Sequence, residues 1–524
     1  MSGPGFIRSA AVVGICTSVS RVLGLLREVL MAFFFGTSLA QSAFVVAFKI
    51  PNLFRRLFGE GALSAAFIPV FTKSLEKDGR DAAWSLAGKV MTLLASVLVA
   101  LILVALLLIT WAEHRFDFGE RAAATLPLLR IMLPYTLFIC LVALSMAILN
   151  SLRHFLIPAT TPIVLNIVWI LTLTLVLPRI GGSMDGRIVV VAWAVVIAGV
   201  LQLAVQLPIL IRRGFAFRLS WDWRDVRVRR VIALMAPAAL GMGVHQVNVV
   251  IDGVLALWVA DWAPAALSYS ERMIYLPLGV IATAFGTVLL PVFSTHVARA
   301  EKGAILETFR GAVRSLALIM VPAAVGLLVL AEPILRVTYM WSGGEFDEDS
   351  LLQTRRALQF YAPGLFFFSL YKVFVPVFYA QEDMRTPVRV GLAAVAINLV
   401  LNITFILTWP DGYQHAGLAC STVLSSAFSC VVLAILLRRH IGSPGWPSLL
   451  GALARILVAA AVMGAIAWWI GHLAVISAIP GKVGQLVQVA AAVGGGMLSY
   501  LALTAMICRR ELLEIISGLG ARRT

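Results

Sequence analysis

The stretch "SRVLGLLREVL", Ser20 to Leu30, puts Arg21 and Arg27 inside the first long apolar run of the chain. An arginine at mid-helix costs about 2.5–3.5 kcal/mol on insertion scales, so each needs a physical reason to be there. Lys49, Arg55, Arg56, Lys89, Arg130, Arg272, Lys372 and Arg455 also lie in apolar runs or at their ends. The acids in these runs are Glu28, Glu60, Asp252 and Glu271, so complete pairing still leaves a surplus of positive charge. Lys89 and Arg455 stand near run ends, where long side chains reach the interface. The deeper bases concentrate in the first two spans of each half. Intramembrane charge faces a bundle interior or a wet cavity, and the planar donor fork of arginine suits phosphate oxygens. The set predicts an anion-binding cavity for a phosphorylated or pyrophosphorylated guest.

Spacing refines this expectation. Six residues separate Arg21 from Arg27, about 120° around a helix, so they flank a wall rather than form one stripe. Glu60 is four residues after Arg56 and predicts a supporting ion pair along the helix, which leaves Arg55 to face a guest. Around them, "KIPNLFRRLFGEGALSAAFIPVF" holds Pro51, Gly59, Gly61 and Pro69, a pattern for a broken or bent helix lining a cavity. Glu271 and Arg272 are adjacent, point about 100° apart, and need separate partners. Asp252 has another candidate role. Asn398 and Asn402 share one helix face, and with Thr422 and Asp252 they could give oxygen ligands to Na⁺. The competing reading of these residues is hydrogen bonding between helices.

The elements that must position these residues are membrane spans. The chain has 524 residues, 60% of them hydrophobic and 13% charged, with a mean hydropathy of +0.95. Soluble domains carry roughly 25% charged residues. Apolar runs long enough to cross a ~30 Å hydrocarbon core recur from end to end. They predict an all-α polytopic membrane protein of about fourteen spans. Lys and Arg favour one side, above all in "RRGFAFRLSWDWRDVRVRR" (212–230), while acids divide evenly; the positive-inside rule then makes both termini cytoplasmic. The net charge of +16 is read the same way, as basic loops meeting anionic lipid rather than nucleic acid. The five cysteines lack metal or disulfide spacing and read as small core hydrophobes.

An internal repeat organises the spans. "IPVFT" (68–72) returns as "LPVFS" (290–294), and the pair Pro134 and Pro158 returns as Pro363 and Pro387. Two pseudo-symmetric six-helix lobes, 1–218 and 219–441, follow, with two additional helices in 442–524. Six spans per half make parallel repeats, and transporters built from repeats place substrate between the halves. No Walker A, HExxH, CxxC or GxSxG stands at a plausible site, so the reading is of a non-enzymatic transporter with no cofactor beyond a possible coupling ion, Na⁺.

"SRVLGLLREVLMAFFFG", "SAFVVAFKIPNLFRRLFGEGALSAAFIPVF", "SERMIYLPLGVIATAFGTVLLPVFS" and "QEDMRTPVRV" together resemble the MurJ (MviN) lipid II flippases of the multidrug/oligosaccharidyl-lipid/polysaccharide exporter superfamily. The resemblance runs over essentially the whole chain. It implies a flippase that moves lipid II, undecaprenyl-pyrophosphate bearing the peptidoglycan disaccharide-pentapeptide, to the outer leaflet of the bacterial cytoplasmic membrane. It maps the family's cavity bases onto Arg21, Arg27, Arg55, Arg272 and Lys372, and its second-span acid onto Glu60. It gives the last two spans the polyprenyl tail, and is compatible with sodium at Asp252, Asn398, Asn402 and Thr422. The implied partners are lipid II, membrane lipids and the cell-wall synthesis or division machinery. Ser42 departs from the family, which often carries aspartate there in a periplasmic gate pairing. The rivals are a flippase for another polyprenyl-linked oligosaccharide, such as an O-antigen unit, a cation antiporter, a polyprenyl-phosphate enzyme, and a non-transporting scaffold.

Overall fold

The computed structural model describes residues 4–59, 62–215, 219–473 and 480–508. Among the described residues there are nineteen helices and no strand, as lipid demands of backbone whose polar groups have no water to bond. The first span is α1 (Pro4–Phe35); the second is α2 (Leu39–Phe54) and α3 (Ala62–Lys77), joined through a wide π turn at Arg55–Gly59. Next come α4 (Arg80–Arg115), the pair α5 (Glu120–Met132) and α6 (Tyr135–Ser151), then α7 (Leu156–Leu171) and α8 (Met184–Arg212). The seventh and eighth are α9 (Val226–Val259) and the pair α10 (Ala263–Pro277) and α11 (Thr283–Ala298). Beyond lie α12 (Lys302–Val329), the short α13 (Ala331–Tyr339), and the pair α14 (Glu348–Tyr361) and α15 (Gly364–Ala380). The chain closes with α16 (Arg385–Thr408), α17 (Gln414–Ile441), α18 (Trp446–Gly471) and α19 (Gly481–Ile507).

Among the described residues, eight helices are long and apolar enough to cross a membrane, or ten with each bent pair taken as one span. The rest of the fourteen expected segments are α1, α2–α3, α9 and α10–α11. These hold Arg21, Arg27, Arg55, Asp252 and Arg272.

The repeat is visible in backbone geometry. Pro134 and Pro363 each open the second helix of a bent pair, with bends of 42° and 40°. A proline has no N–H for the preceding turn, so the helix restarts there on a new axis. After α6 and α15 the chain turns through left-handed residues at matched positions, Arg153 (φ 58°) and Glu382 (φ 61°). His154 N donates to Leu149 O at 2.8 Å and Asp383 N to Phe378 O at 3.0 Å, the same helix-ending motif. A π turn also recurs, Leu278–Ala282 answering Arg55–Gly59. Pro51 and Pro69 do not break the second span: both sit inside helices, and the irregularity falls between them.

Packing divides the chain into two compact units, Met1–Ala265 and Ala266–Thr524. In the first, α7 packs on α1 and α8, α6 on α3 and α8, and α9 on α2 and α3. Gly199 of α8 lets α6 approach closely: a Cβ there would lie 2.6 Å from Tyr135 Cδ2. In the second, α15 packs on α11, α12 and α17, and α16 on α17. The final pair, α18 and α19, packs together and against α12 through Leu318, Ile456, Ala460 and Tyr500. The sequence pattern restarts near residue 218, whereas packing divides near 265, because α9 is held by α2 and α3.

Candidate functional site

In the first unit the deep charge gathers around one guanidinium. Arg27 Nη2 donates to Glu28 Oε1 at 2.7 Å and Nη1 to Asn166 Oδ1 at 3.2 Å; both the Arg27 and Glu28 side chains are 12% exposed. The guanidinium also lies over the Trp169 ring, 4.4 Å from its centroid. Such stacking contributes about 2 kcal/mol where it is desolvated. Asn166 and Trp169 are three residues apart on α7, so both face α1. Asn166 Nδ2 donates back to Ser20 O at 3.0 Å, tying α7 to α1.

Aromatic rings brace this cluster from behind. Trp169 meets Phe44 and Phe48 edge-on, at 5.4 and 5.6 Å between centroids, and Phe48 lies 6.1 Å from Tyr135. Tyr135 is fully buried behind them. Arg55 opens the π turn with its Nε donating to Asn52 Oδ1 at 2.8 Å. Arg21 is exposed on another side of α1, in keeping with its angular separation from Arg27.

The expected Arg56–Glu60 pair involves Glu60, which lies outside the described residues. Arg56 Nη1 donates to Gln246 Oε1 of α9 at 3.4 Å. Lys49 runs across Gly253 of α9, where a Cβ would come 2.8 Å from its Cδ. Ser42 is buried, and its Oγ accepts from the Ala265 amide at 3.3 Å. It thereby serves an N–H at the start of α10 that has no partner within that helix.

In the second unit Arg272 and Lys372 are both half-buried, on α10 and α15. Glu271, beside Arg272, accepts from Tyr361 Oη at 3.0 Å. Glu271, Tyr361, Phe368 and Thr422 line a small cavity of about 40 Å³, room for two or three waters. Asn398, Asn402 and Ser421 are buried and bonded in a closed ring: Asn402 Nδ2 to Asn398 Oδ1 at 3.1 Å, Asn398 Nδ2 to Ser421 Oγ at 3.3 Å, and Ser421 Oγ to Asn402 Oδ1. Thr422 Oγ1 donates to Leu418 O at 3.0 Å. The bonds from Asn398 and Asn402 to Ser421 clasp α16 to α17, while that of Thr422 stays within α17. Asp252, on α9 in the first unit, accepts from Asn248 Nδ2 at 3.1 Å. Among the described residues no group of three or more His, Cys, Asp or Glu gathers as a metal site.

Lys89 and Arg130 have partners that their sequence positions did not announce. Lys89 bonds Asp222 and Asp225, and Arg130 pairs with Glu113. Sequence reasoning also missed Asn166, Trp169 and Tyr361. Asn166 and Trp169 had a signal in their spacing on one apolar helix, a polar group and an indole that each want a partner.

Comparison with known proteins bears on this arrangement. The family model described as lipid II flippase MurJ matches residues 31–483. A probable lipid II flippase MurJ of Vibrio cholerae serotype O1 is 33% identical over 519 residues, 96% of each chain. One from Rhizobium tropici is 35% identical, covering 89% of this chain and 87% of its own. The lipid II flippase MurJ of Burkholderia cenocepacia is 31% identical, covering 86% and 88%. A solved structure of lipid II flippase MurJ in an inward closed conformation matches with a TM-score of 0.77 at 23% identity, covering 96% of this chain and all of that one. An inward-facing multidrug resistance MATE family transporter of the MOP superfamily matches at 0.67 and 12% identity, covering 82% of this chain and 98% of that one. These two speak for the fold.

Proposed function

The chain belongs to the MurJ family of lipid II flippases, multi-pass proteins of the inner membrane, and we propose that it carries lipid II from the inner to the outer leaflet by alternating access. The observation that carries the chemistry is the housing of Arg27. A guanidinium is held nearly out of water within the apolar part of the chain, oriented by Glu28, Asn166 and Trp169. A pyrophosphate does not enter hydrocarbon without replacement of its water. Arginine donors supply that replacement, and orienting them in advance removes part of the ordering cost of binding. Arg21, Arg27 and Arg55 in the first unit, and Arg272 and Lys372 in the second, are the residues proposed to engage the headgroup. The apolar pair α18 and α19 is proposed to seat the polyprenyl tail. Both termini are proposed to be cytoplasmic, on the positive-inside reading of the loop 212–230.

The test is outer-leaflet lipid II accessibility in cells depleted of their own flippase, comparing this chain with an Arg21→Ala/Arg272→Ala version at matched membrane levels. Restoration by the intact chain alone supports the reading. Restoration by both makes these arginines structural. Restoration by neither, with sound expression, transfers the fold to another polyprenyl-linked glycan. Sodium coupling is a separate proposal, carried by oxygen chemistry alone at Asp252, Asn398, Asn402 and Thr422. Transport that persists when Na⁺ is replaced by choline overturns it.

A further inference from the structure

The loop between α8 and α9 takes no part in the transport proposed above, yet its side chains are sorted. Residues 219–222 run without helix, and exposure alternates along 219–223. Inward, the Ser220 amide donates to Thr92 Oγ1 at 3.3 Å, and Asp222 accepts from Lys89 Nζ at 2.8 Å, both partners on α4. Asp225 accepts from the same Lys89 at 2.9 Å and from Arg227 at 3.1 Å. Lys89 and Arg227 keep these acids ionised. The Lys89 hydrogen bond holds Asp222 below the usual carboxylate range. Burial alone would raise Asp225, but hydrogen bonds from Arg227 and Lys89 outweigh it and hold it well below.

Outward stand Leu219, Trp221 and Trp223, 80%, 60% and 48% exposed. Arg224 and Arg229 place their guanidiniums over the Trp223 ring at 5.5 and 5.3 Å, and Arg230 is exposed beside them. The acids of residues 219–230 are Asp222 and Asp225, and both are bonded to a lysine at the root of the loop. What faces outward is therefore mainly aromatic and cationic, the Asp222 carboxylate being 42% exposed but tied to Lys89. The described part of the loop starts seven residues after α8, a helix long and apolar enough to cross a membrane, and a loop so close to a span end is expected at headgroup depth. Indole rings favour that depth, and guanidiniums there favour anionic headgroups.

We propose that this loop is a headgroup-level anchor: Trp221 and Trp223 sit in the interface, and Arg224, Arg229 and Arg230 hold the phosphates of anionic phospholipids in the cytoplasmic leaflet. The leaflet named rests on the topology proposed above. The lipid contact does not, because a nanodisc exposes both faces.

The experiment uses the full chain in nanodiscs of phosphatidylcholine, with or without about one third phosphatidylglycerol. The emission of the two rings is obtained by subtracting the spectrum of a Trp221→Phe/Trp223→Phe variant. Expected is a blue shift, with quenching by lipids brominated near the headgroup, larger in the anionic discs. An Arg224→Gln/Arg229→Gln/Arg230→Gln variant should lose the anion-dependent part. Each arginine near such a surface favours contact about fivefold, so its retention of phosphatidylglycerol through delipidation should fall more than tenfold. Identical spectra in both lipids, or an arginine variant that behaves as the parent, overturns the anchor. A reporter inserted in the loop that maps to the periplasm overturns the leaflet and the topology, and leaves the disc result standing on its own.

Discussion

Substituting Arg27 by alanine separates its two roles, because its surroundings set the cost. Its bond to Glu28 is 2.7 Å long, and both side chains are 12% exposed. Removing one partner of such a buried pair costs about 3–5 kcal/mol, since the other charge remains in a low dielectric. Loss of the stack on Trp169 adds about 0.5–2 kcal/mol. Thermal unfolding of the purified Arg27→Ala protein should therefore shift far below the parent. The Arg27→Ala/Glu28→Gln double variant also removes the carboxylate's charge and should recover most of that loss. Transport should not recover, because the guanidinium that meets the pyrophosphate is still missing. Melting curves and outer-leaflet lipid II accessibility, measured on the same three proteins, decide the matter. An Arg27→Ala protein that melts with the parent refutes the buried pair. A double variant that transports as the parent does refutes the headgroup role.

Further outcomes follow from the packing and the loop. Gly199→Val should cost about 1–3 kcal/mol by overpacking against Tyr135, whereas Gly14→Ala, where an added Cβ meets nothing within 4 Å, should leave the melting temperature unchanged. Asn402→Ala opens the α16–α17 clasp and should destabilise by about 0.6–1.7 kcal/mol for each membrane hydrogen bond lost, again read by thermal unfolding. Acid should weaken the loop clamp. The carboxyls of Asp222 and Asp225 are depressed in the fold, so as pH falls below about 4 the unfolded chain takes up protons first. Their stabilisation is full above that pH and drains away below it. Lys89→Met should flatten the fall in melting temperature between about pH 5 and pH 3, and an equal fall in both proteins would refute the clamp.

The sequence made the costly residues legible, and the partners much less so. An arginine among leucines advertises its desolvation cost wherever it lies. The groups that meet the cost lie far along the chain: Asn166 is 139 residues from Arg27, and Asp222 is 133 residues from Lys89. No local periodicity reports such pairings. The prolines marked the repeat because each removes a donor at a fixed place, and both 134 and 363 produce the bend they announce. The pattern of Pro51, Gly59, Gly61 and Pro69 announced an irregular second span without placing the irregularity: helices absorb both prolines, and the widened turn falls on Arg55–Gly59. The polar face of α16 was legible from its four-residue spacing, but that it closes into a ring with Ser421 depended on which residue of α17 comes opposite.

The paired left-handed turns after α6 and α15 have a consequence of their own. One mould has been cast twice, with "LNSLRH" in one casting and "FYAQED" in the other. The first ends in Arg153 and His154, the second in Glu382 and Asp383, so the same backbone carries opposite polarity at two corners of the molecule. Swapping the two hexapeptides would invert the electrostatic sign of each corner while asking nothing new of the chain path.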